Sequence, residues 1–96
     1  MISNFASSLV ADIYEGVKNK TTRKISAGLH AKIRRLLDQL NAAPSLEFMR
    51  VLPGNRLEKL SGNLKSYWSV RINDQWRLIF RWHGEDAFDV NIVDYH

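Results

Sequence analysis

Residues 67–96 read YWSVRINDQWRLIFRWHGEDAFDVNIVDYH, and this stretch decides the fold. It contains all three tryptophans of the chain and its longest runs of β-branched and aromatic residues, which favour strands. Turn-forming residues interrupt these runs at residues 73–75 and again at residues 84–86. The pattern therefore predicts three consecutive strands that are joined by two tight turns.

Alternation of period two predicts how these strands pair, because opposed residues of an antiparallel pair share one face of the sheet. A three-residue first turn places Val70 opposite Leu78, whereas a two-residue turn would place Val70 opposite Arg77 and mix the faces. The same rule places Trp82 opposite Phe88 across the second turn. We expect an aromatic and aliphatic core face, Phe88 included, and an open basic face that carries Arg71, Arg77 and Arg81.

Two helices are predicted before these strands. Ser7 or Ser8 can cap a first helix, and Gly16 can end it. The second helix is predicted over residues 23–42, where isoleucine and leucine recur at steps of three and four residues and form one apolar stripe. One of the two threonines directly before this range can cap it.

Three shorter elements complete the predicted order. They are a first strand over residues 1–5, a further helical turn over residues 45–50, and a strand over residues 56–60. The order β-α-α-β-β-β-β predicts a single α+β domain over residues 1–96. In it, two N-terminal helices cover one face of a mainly antiparallel sheet.

Composition narrows the class of protein. A chain of 96 residues with 45% hydrophobic residues is long enough for one domain with one core. The absence of cysteine excludes a disulfide framework and thiolate metal sites, and it suits the reducing cytoplasm. The sequence indicates neither a secretory signal nor a membrane span, which needs ~20 apolar residues. A net charge of +4 favours a polyanionic partner such as nucleic acid.

Three segments of the chain carry a family resemblance: PGNRLEKLSG at 53–62, YWSVRINDQWRLIFRW at 67–82 and VDYH at 93–96. Together they resemble the HigB-type toxins of the RelE/ParE superfamily, which are the killer proteins of type II toxin–antitoxin modules. The resemblance covers essentially the whole chain. It implies a RelE-like fold and cleavage of messenger RNA on the translating ribosome. It also implies a HigA-type antitoxin with a helix-turn-helix domain, through which alone promoter DNA would be bound.

The resemblance also implies where the active site lies. Asp94, Tyr95 and His96 match the C-terminal catalytic cluster of the family. Arg77 matches the arginine of its WRI/WRL motif. Glu58 departs from the pattern, since it stands where some members have an active-site histidine.

Metal-free RNA cleavage needs a base for the ribose 2′-hydroxyl, an acid for the leaving 5′-oxygen, and a cation for the charge that builds on phosphorus. We expect His96 to be the leading acid or base, with Asp94 as its partner, because histidine titrates near neutrality. Arg77 would stabilise the phosphate, Tyr95 would position the substrate, and Glu58 would be a second acid or base. Strict alternation puts Tyr95 on the same face as Arg77, but it puts Asp94 and His96 on the core face. Strand twist or fraying must therefore turn Asp94 and His96 toward Arg77.

The other basic residues predict contacts with RNA. Arg71 and Arg81 suit an RNA path beside Arg77. Contacts with phosphates of ribosomal RNA are expected from the basic residues around the second helix, which are Arg23, Lys24, Lys32, Arg34 and Arg35. No role is predicted for His30 or His83.

Neither a metal nor a nucleotide cofactor is expected. No set of histidine, aspartate and glutamate has metal-ligand spacing, and the sequence has no glycine-rich phosphate loop. Two other functions stay open at this point. One is a non-enzymatic toxin that inhibits DNA gyrase, as ParE-type members of the superfamily do. The other is an inactive module that only binds its antitoxin.

Overall fold

The computed structural model describes residues 1–94, which form three α-helices and a four-stranded antiparallel sheet with the strand order β1-β2-β3-β4. The helices are α1 (Ser8–Glu15), α2 (Ala27–Ala42) and α3 (Leu46–Val51). The strands are β1 (Glu58–Lys59), β2 (Trp68–Arg71), β3 (Trp76–His83) and β4 (Asp86–Asp94). Short 3₁₀ turns cover Thr22–Lys24 and Gly62–Leu64. The further helical turn predicted after the second helix is thus confirmed as α3.

The core lies between one face of the sheet and the helices. The apolar stripe of α2 supplies four buried residues, namely Ile33, Leu36, Leu37 and Leu40. The sheet supplies the alternating residues Val70, Leu78, Phe80, Val90 and Ile92, and α1 supplies Val10 and Ile13. The predicted layout, with helices covering the aromatic and aliphatic face, is confirmed.

The first helix ends where the sequence predicts. The Ser7 hydroxyl accepts a hydrogen bond from the backbone N–H of Val10 at 3.5 Å, which satisfies one donor of the first turn. Gly16 follows the helix with φ = 77°, a left-handed conformation that glycine adopts without steric cost.

The second helix begins at Ala27, four residues later than predicted. Asn19 and Thr22 exchange hydrogen bonds through their side chains, at 2.9 and 3.0 Å, and these bonds stabilise the 3₁₀ turn at residues 22–24. Threonine side chains compete for backbone groups in this way, so they favour turns over helix interiors. Arg23 and Lys24 therefore lie on this turn and not on α2.

The first hairpin has the predicted register. Val70 pairs with Leu78, and the N–H of Ile72 donates to the carbonyl of Trp76 at 3.0 Å. The Asn73 side chain accepts from the N–H of Trp76 at 2.7 Å and closes the turn. Local turn chemistry was therefore sufficient to predict this pairing.

The predicted register of the second hairpin is wrong at its tip. Trp82 pairs with Ala87 instead of Phe88, because the turn has two residues rather than three. A β-bulge in β4, opposite Phe80, then restores the predicted phase, so that the pairs nearer the C-terminal end of β4 match the prediction. The residue in the bulge is Asp89, with φ = 51°. Between the turn and the bulge, the side chains of β4 therefore point to the faces opposite to those predicted. Ala87 is buried in the core, and Phe88 is not part of the core.

Two predicted strands are shorter than expected. The first is reduced to two isolated parallel bridges with β4, which pair Ile2 with Ala87 and Phe5 with Val90. The bulge lies between these two bridges and interrupts any continuous ladder. The strand predicted over residues 56–60 consists only of β1, beside β2.

Candidate active site

Arg77 is buried, which corrects the prediction that it lies on an open face. Its side chain is only 9% exposed. Its Nη2 donates to the hydroxyl of Ser69 at 2.8 Å and to the backbone carbonyl of Arg56 at 3.2 Å. The carboxylate of Glu58 lies 3.6 Å from the same nitrogen. Such bonding is what burial of a guanidinium requires, because an unpaired buried charge is costly.

Strand alternation brings these groups together. Glu58 of β1 pairs with Ser69 of β2, and Arg71 of β2 pairs with Arg77 of β3. Residues two apart on a strand share a face, so Ser69 and Arg77 project from the same side of the sheet. The Glu58 side chain is 52% exposed, so a carboxylate open to solvent stands beside a sheltered cation.

The segment before β1 covers this cation, and sequence analysis did not predict its role. Arg56 has φ = 49°, an uncommon conformation for a non-glycine residue, and its carbonyl accepts from Arg77. Asn55 is buried, and its carbonyl accepts from the N–H of Arg71 at 2.7 Å. The only signal in the sequence was the turn-forming PGN run that ends at Asn55.

The C-terminal cluster is described only in part. Asp94 pairs with Trp76 at the end of β4, and its carboxylate accepts from the Gln75 side chain at 3.2 Å. Arg77 pairs with Val93, so the register puts Asp94 on the opposite face of the sheet from Arg77. Tyr95 and His96 lie outside the described residues, and their predicted roles stay predictions.

The predicted RNA-binding residues fall into separate places. Arg71 forms an ion pair with the carboxylate of Asp74, and Arg81 forms one with the carboxylate of Asp89 at 2.7 Å. Arg34 donates to the carbonyl of Ile13 at 3.4 Å. Lys32, Arg35 and Arg71 line one recess of about 200 Å³ between α2 and the residues that precede β1. The structure thus brings three of these cations together and leaves Arg23 and Lys24 exposed on the 3₁₀ turn.

Asp89 is the acidic residue whose titration the fold changes most clearly. Asn4 donates to one of its carboxylate oxygens at 2.8 Å, and Arg81 donates to the other at 2.8 Å. The hydrogen bond from Asn4, followed by that from Arg81, holds the pKa of the Asp89 carboxyl below its usual value. Asp89 is therefore ionised at neutral pH and keeps Arg81 in place.

The two histidines within residues 1–94 differ. His30 is buried, and its Nε2 lies 3.0 Å from the carbonyl of Thr22 and 2.9 Å from that of Ile25, so it joins the 3₁₀ turn to α2. His83 is exposed at the tip of the second hairpin. In the described part of the chain, no three histidine, aspartate or glutamate side chains are grouped so as to hold a metal ion. No helix within these residues has the length and apolar character to cross a membrane.

Comparisons with known proteins identify the family. Residues 3–96 match the model of the HigB-like toxins, described as the RelE-like toxin of type II toxin–antitoxin system HigB. The chain is similar to the toxin HigB-1 of Vibrio cholerae serotype O1, with 39% identity over 82 residues that cover 85% of this chain and 84% of that protein. It is also similar to the endoribonuclease HigB of Proteus vulgaris, with 28% identity over 86 residues, which cover 86% of this chain and 94% of that protein.

A solved structure shows the same fold. The YoeB/ParE toxin from Agrobacterium tumefaciens superposes with a TM-score of 0.58 at 21% identity, over 94% of each chain. The predicted RelE-like α+β fold is therefore confirmed, and the resemblance of the quoted segments is confirmed by the family model. A toxin of a type II toxin–antitoxin system has a cognate antitoxin as its partner. This chain belongs to the HigB-like family of RelE-like toxins of type II toxin–antitoxin systems.

Proposed function

We propose that this toxin is an endoribonuclease that cleaves messenger RNA on the translating ribosome and thereby inhibits translation. The observation that carries the proposal is the position of Arg77, whose guanidinium is fixed by Ser69 and Arg56 beside the exposed carboxylate of Glu58. A cation held in place before the substrate arrives needs no reorganisation when negative charge develops. The name of the Proteus vulgaris relative supports the same activity.

The proposed reaction is an internal transfer at phosphorus. A base removes the proton of the ribose 2′-hydroxyl, and the 2′-oxygen forms a bond to the adjacent phosphorus while the bond to the 5′-oxygen breaks. An acid returns a proton to the 5′-oxygen. The products are a 2′,3′-cyclic phosphate and a 5′-hydroxyl, and Arg77 stabilises the charge on phosphorus between them.

Four other residues complete the proposed site. Glu58 is a candidate base, because its carboxylate is open to solvent and adjacent to Arg77. We assign His96 as the leading acid or base and Tyr95 as the residue that positions the RNA, on the basis of the family motif. Asp94 would orient His96 from the end of β4.

The proposed reaction uses no metal ion, because Arg77 supplies the positive charge at phosphorus. Activity on ribosomes should survive EDTA, with ribosome integrity checked by sedimentation, and the upstream fragment should end in a cyclic phosphate or a 3′-phosphate. A 3′-hydroxyl end together with a strict Mg²⁺ requirement in the chemical step would contradict this mechanism.

The proposed partners follow from charge and family. The recess lined by Lys32, Arg35 and Arg71 can contact phosphates of ribosomal RNA, as can the exposed Arg23 and Lys24. Such contacts weaken as salt rises. We propose that the antitoxin is of the HigA type, and that promoter DNA is bound through its helix-turn-helix domain and not by the toxin.

Transcript mapping tests the activity. The toxin is expressed in cells beside the Arg77→Ala variant, and 5′ ends are mapped by primer extension. The proposal predicts new 5′ ends within translated codons for the wild type and none for the variant. Intact transcripts with an SOS response would instead indicate inhibition of gyrase, and intact transcripts without a growth defect would indicate an inactive module.

A further inference from the structure

A shallow recess lies at the tip of the second hairpin, away from the proposed active site. It has a volume of about 410 Å³ and is lined by Ser66, Arg81, Trp82, His83 and Phe88. We call it the hairpin recess. Its lining combines the rings of Trp82 and Phe88 with the guanidinium of Arg81. The pairing of β2 with β3 ends at Trp68 and Phe80. The recess opens beside the part of β3 that lies beyond this pair.

The β-bulge places Phe88 in this recess. Without the bulge, strand alternation would point Phe88 into the core opposite Trp82, as the sequence predicts. With it, Phe88 pairs with Arg81 and is half-buried at the surface. Asp89 adopts φ = 51° at the bulge, a conformation that persists only when surrounding contacts determine it. Bulges that redirect one side chain are common beside functional sites.

The walls of the hairpin recess are held in place. The indole N–H of Trp82 donates to the carbonyl of Gly84 at 2.9 Å, and its ring meets the edge of the buried Phe80 ring at a centroid distance of 6.4 Å. Arg81 is fixed by the carboxylate of Asp89. A recess whose indole and guanidinium are ordered in advance loses little entropy when a flat ligand binds.

We infer that the hairpin recess binds one nucleobase of the RNA substrate by stacking it on Phe88, which shares its face of the sheet with Arg81. Every base has a π-face, so aromatic platforms bind single-stranded RNA with little dependence on sequence. Arg81 adds a planar guanidinium on which a base can also stack. The inference rests on the proposed function and extends it with a binding site for a base outside the catalytic cluster.

Geometry connects the hairpin recess with the active site. Arg77 and Arg81 are four residues apart on one uninterrupted strand, so they share a face at a separation of roughly 13 Å. A short run of single-stranded RNA can span this distance, with its scissile phosphate at Arg77 and a neighbouring base at Phe88. The Arg81 side chain is 48% exposed beside Asp89, so it can still contact a phosphate along this path.

The inference can be tested with short RNA that cannot be cleaved. Oligonucleotides with 2′-O-methyl groups carry 2-aminopurine at one position at a time, because the fluorescence of this base falls when it stacks. For the wild type and for Phe88→Tyr, we expect quenching at one position. For Phe88→Leu, we expect that quenching to disappear and the Kd to rise about tenfold or more.

A matched control and the salt dependence complete the test. Phe48→Leu makes the same change at a half-buried phenylalanine on α3, and it should leave the quenching and the Kd as in the wild type. Thermal melting of both variants shows that they fold. Phe88→Leu should also leave the slope of log K against log salt unchanged, because each phosphate contact on a single strand contributes about 0.7 to that slope and stacking contributes none.

Three results would overturn the inference. Phe88→Leu could bind RNA as Phe48→Leu does while the wild type still cleaves messenger RNA, and then only the hairpin recess is wrongly assigned. Phe88→Leu could retain RNA binding and lose affinity for the antitoxin, which would make the recess a protein-docking surface. A wild type that neither binds the oligonucleotides nor cuts transcripts would overturn the proposed function as well.

Discussion

At the scale of single residues, burial gives Arg77 two roles that one substitution removes together. Arg77→Ala should lower activity by at least about 10², the effect of losing one donor to a developing negative charge. It should also destabilise the fold by about 1–3 kcal/mol, because the Ser69 hydroxyl and the Arg56 carbonyl lose a partner. Growth inhibition and thermal melting measure the two effects.

Arg77→Lys separates these roles. Lysine keeps the charge but lacks the planar fork, so this variant should fold better than Arg77→Ala and remain almost inactive. Arg50→Ala removes an exposed arginine on α3 and should behave as the wild type in both assays. Full toxicity of Arg77→Lys would show that only the charge matters.

Glu58→Gln tests the carboxylate without changing its size. If Glu58 is an acid or base, the rate of cleavage on ribosomes should fall by about 10²–10⁴. Glu47→Gln makes the same change at an exposed carboxylate of α3 and should leave the rate unchanged. A Glu58→Gln enzyme as fast as the control would assign the acid and base roles to the C-terminal residues alone.

Ionisation of the Asp89 carboxyl should make the melting temperature of the protein depend on pH. Its pKa is lower in the folded chain than the ordinary 3.8, so its contribution is present above about pH 3.8 and is lost as pH falls through the lowered value. Asn at this position also tolerates φ > 0, so Asp89→Asn removes the charge and keeps the backbone. We expect the wild type to melt above Asp89→Asn at pH 6 and this difference to shrink toward pH 3. A difference in Tm that does not change with pH would show that the charge is not involved.

At the scale of elements, the two hairpins show what the sequence predicts and what it does not. The first register depends on Asn73, which closes its own turn, so local rules predicted it. The second depends on a bulge whose aspartate is held by Asn4, 85 residues away in the sequence. A contact over that separation leaves no local pattern. For the same reason, the carbonyl of Arg56 was not predicted beside Arg77.

The end of β4 gives a prediction for the whole C-terminal cluster. Stopping the chain after Val93 removes Asp94, with its bond to Gln75, and the two residues that follow. Since Ile92 is the last core residue among residues 1–94, the cost in stability should be roughly 1 kcal/mol or less. Antitoxin binding should persist and growth inhibition should be lost. A truncated chain that folds, as judged by melting, and still inhibits growth would place the active site elsewhere.

At the scale of the whole molecule, the toxin should depend on the ribosome to present its substrate. A small enzyme with few groups around Arg77 can bind RNA without holding the scissile phosphate in the reactive geometry, and we expect the ribosome to do so. We expect cleavage of messenger RNA in a translating extract and little cleavage of the same RNA without ribosomes. The rate with ribosomes should fall as salt rises, since it requires phosphate contacts. Equal rates on free RNA would contradict this prediction.

The parallel bridges between residues 1–6 and β4 have a consequence for the order of synthesis. Ile2 and Phe5 reach their partners only when Ala87 and Val90, each 85 residues further along the sequence, have been made. Translation adds about 5–20 residues per second, so this delay lasts for several seconds. During that time the nascent chain lacks β4, which supplies Val90 and Ile92 to the core. No copy of this domain can therefore fold until the ribosome has made β4.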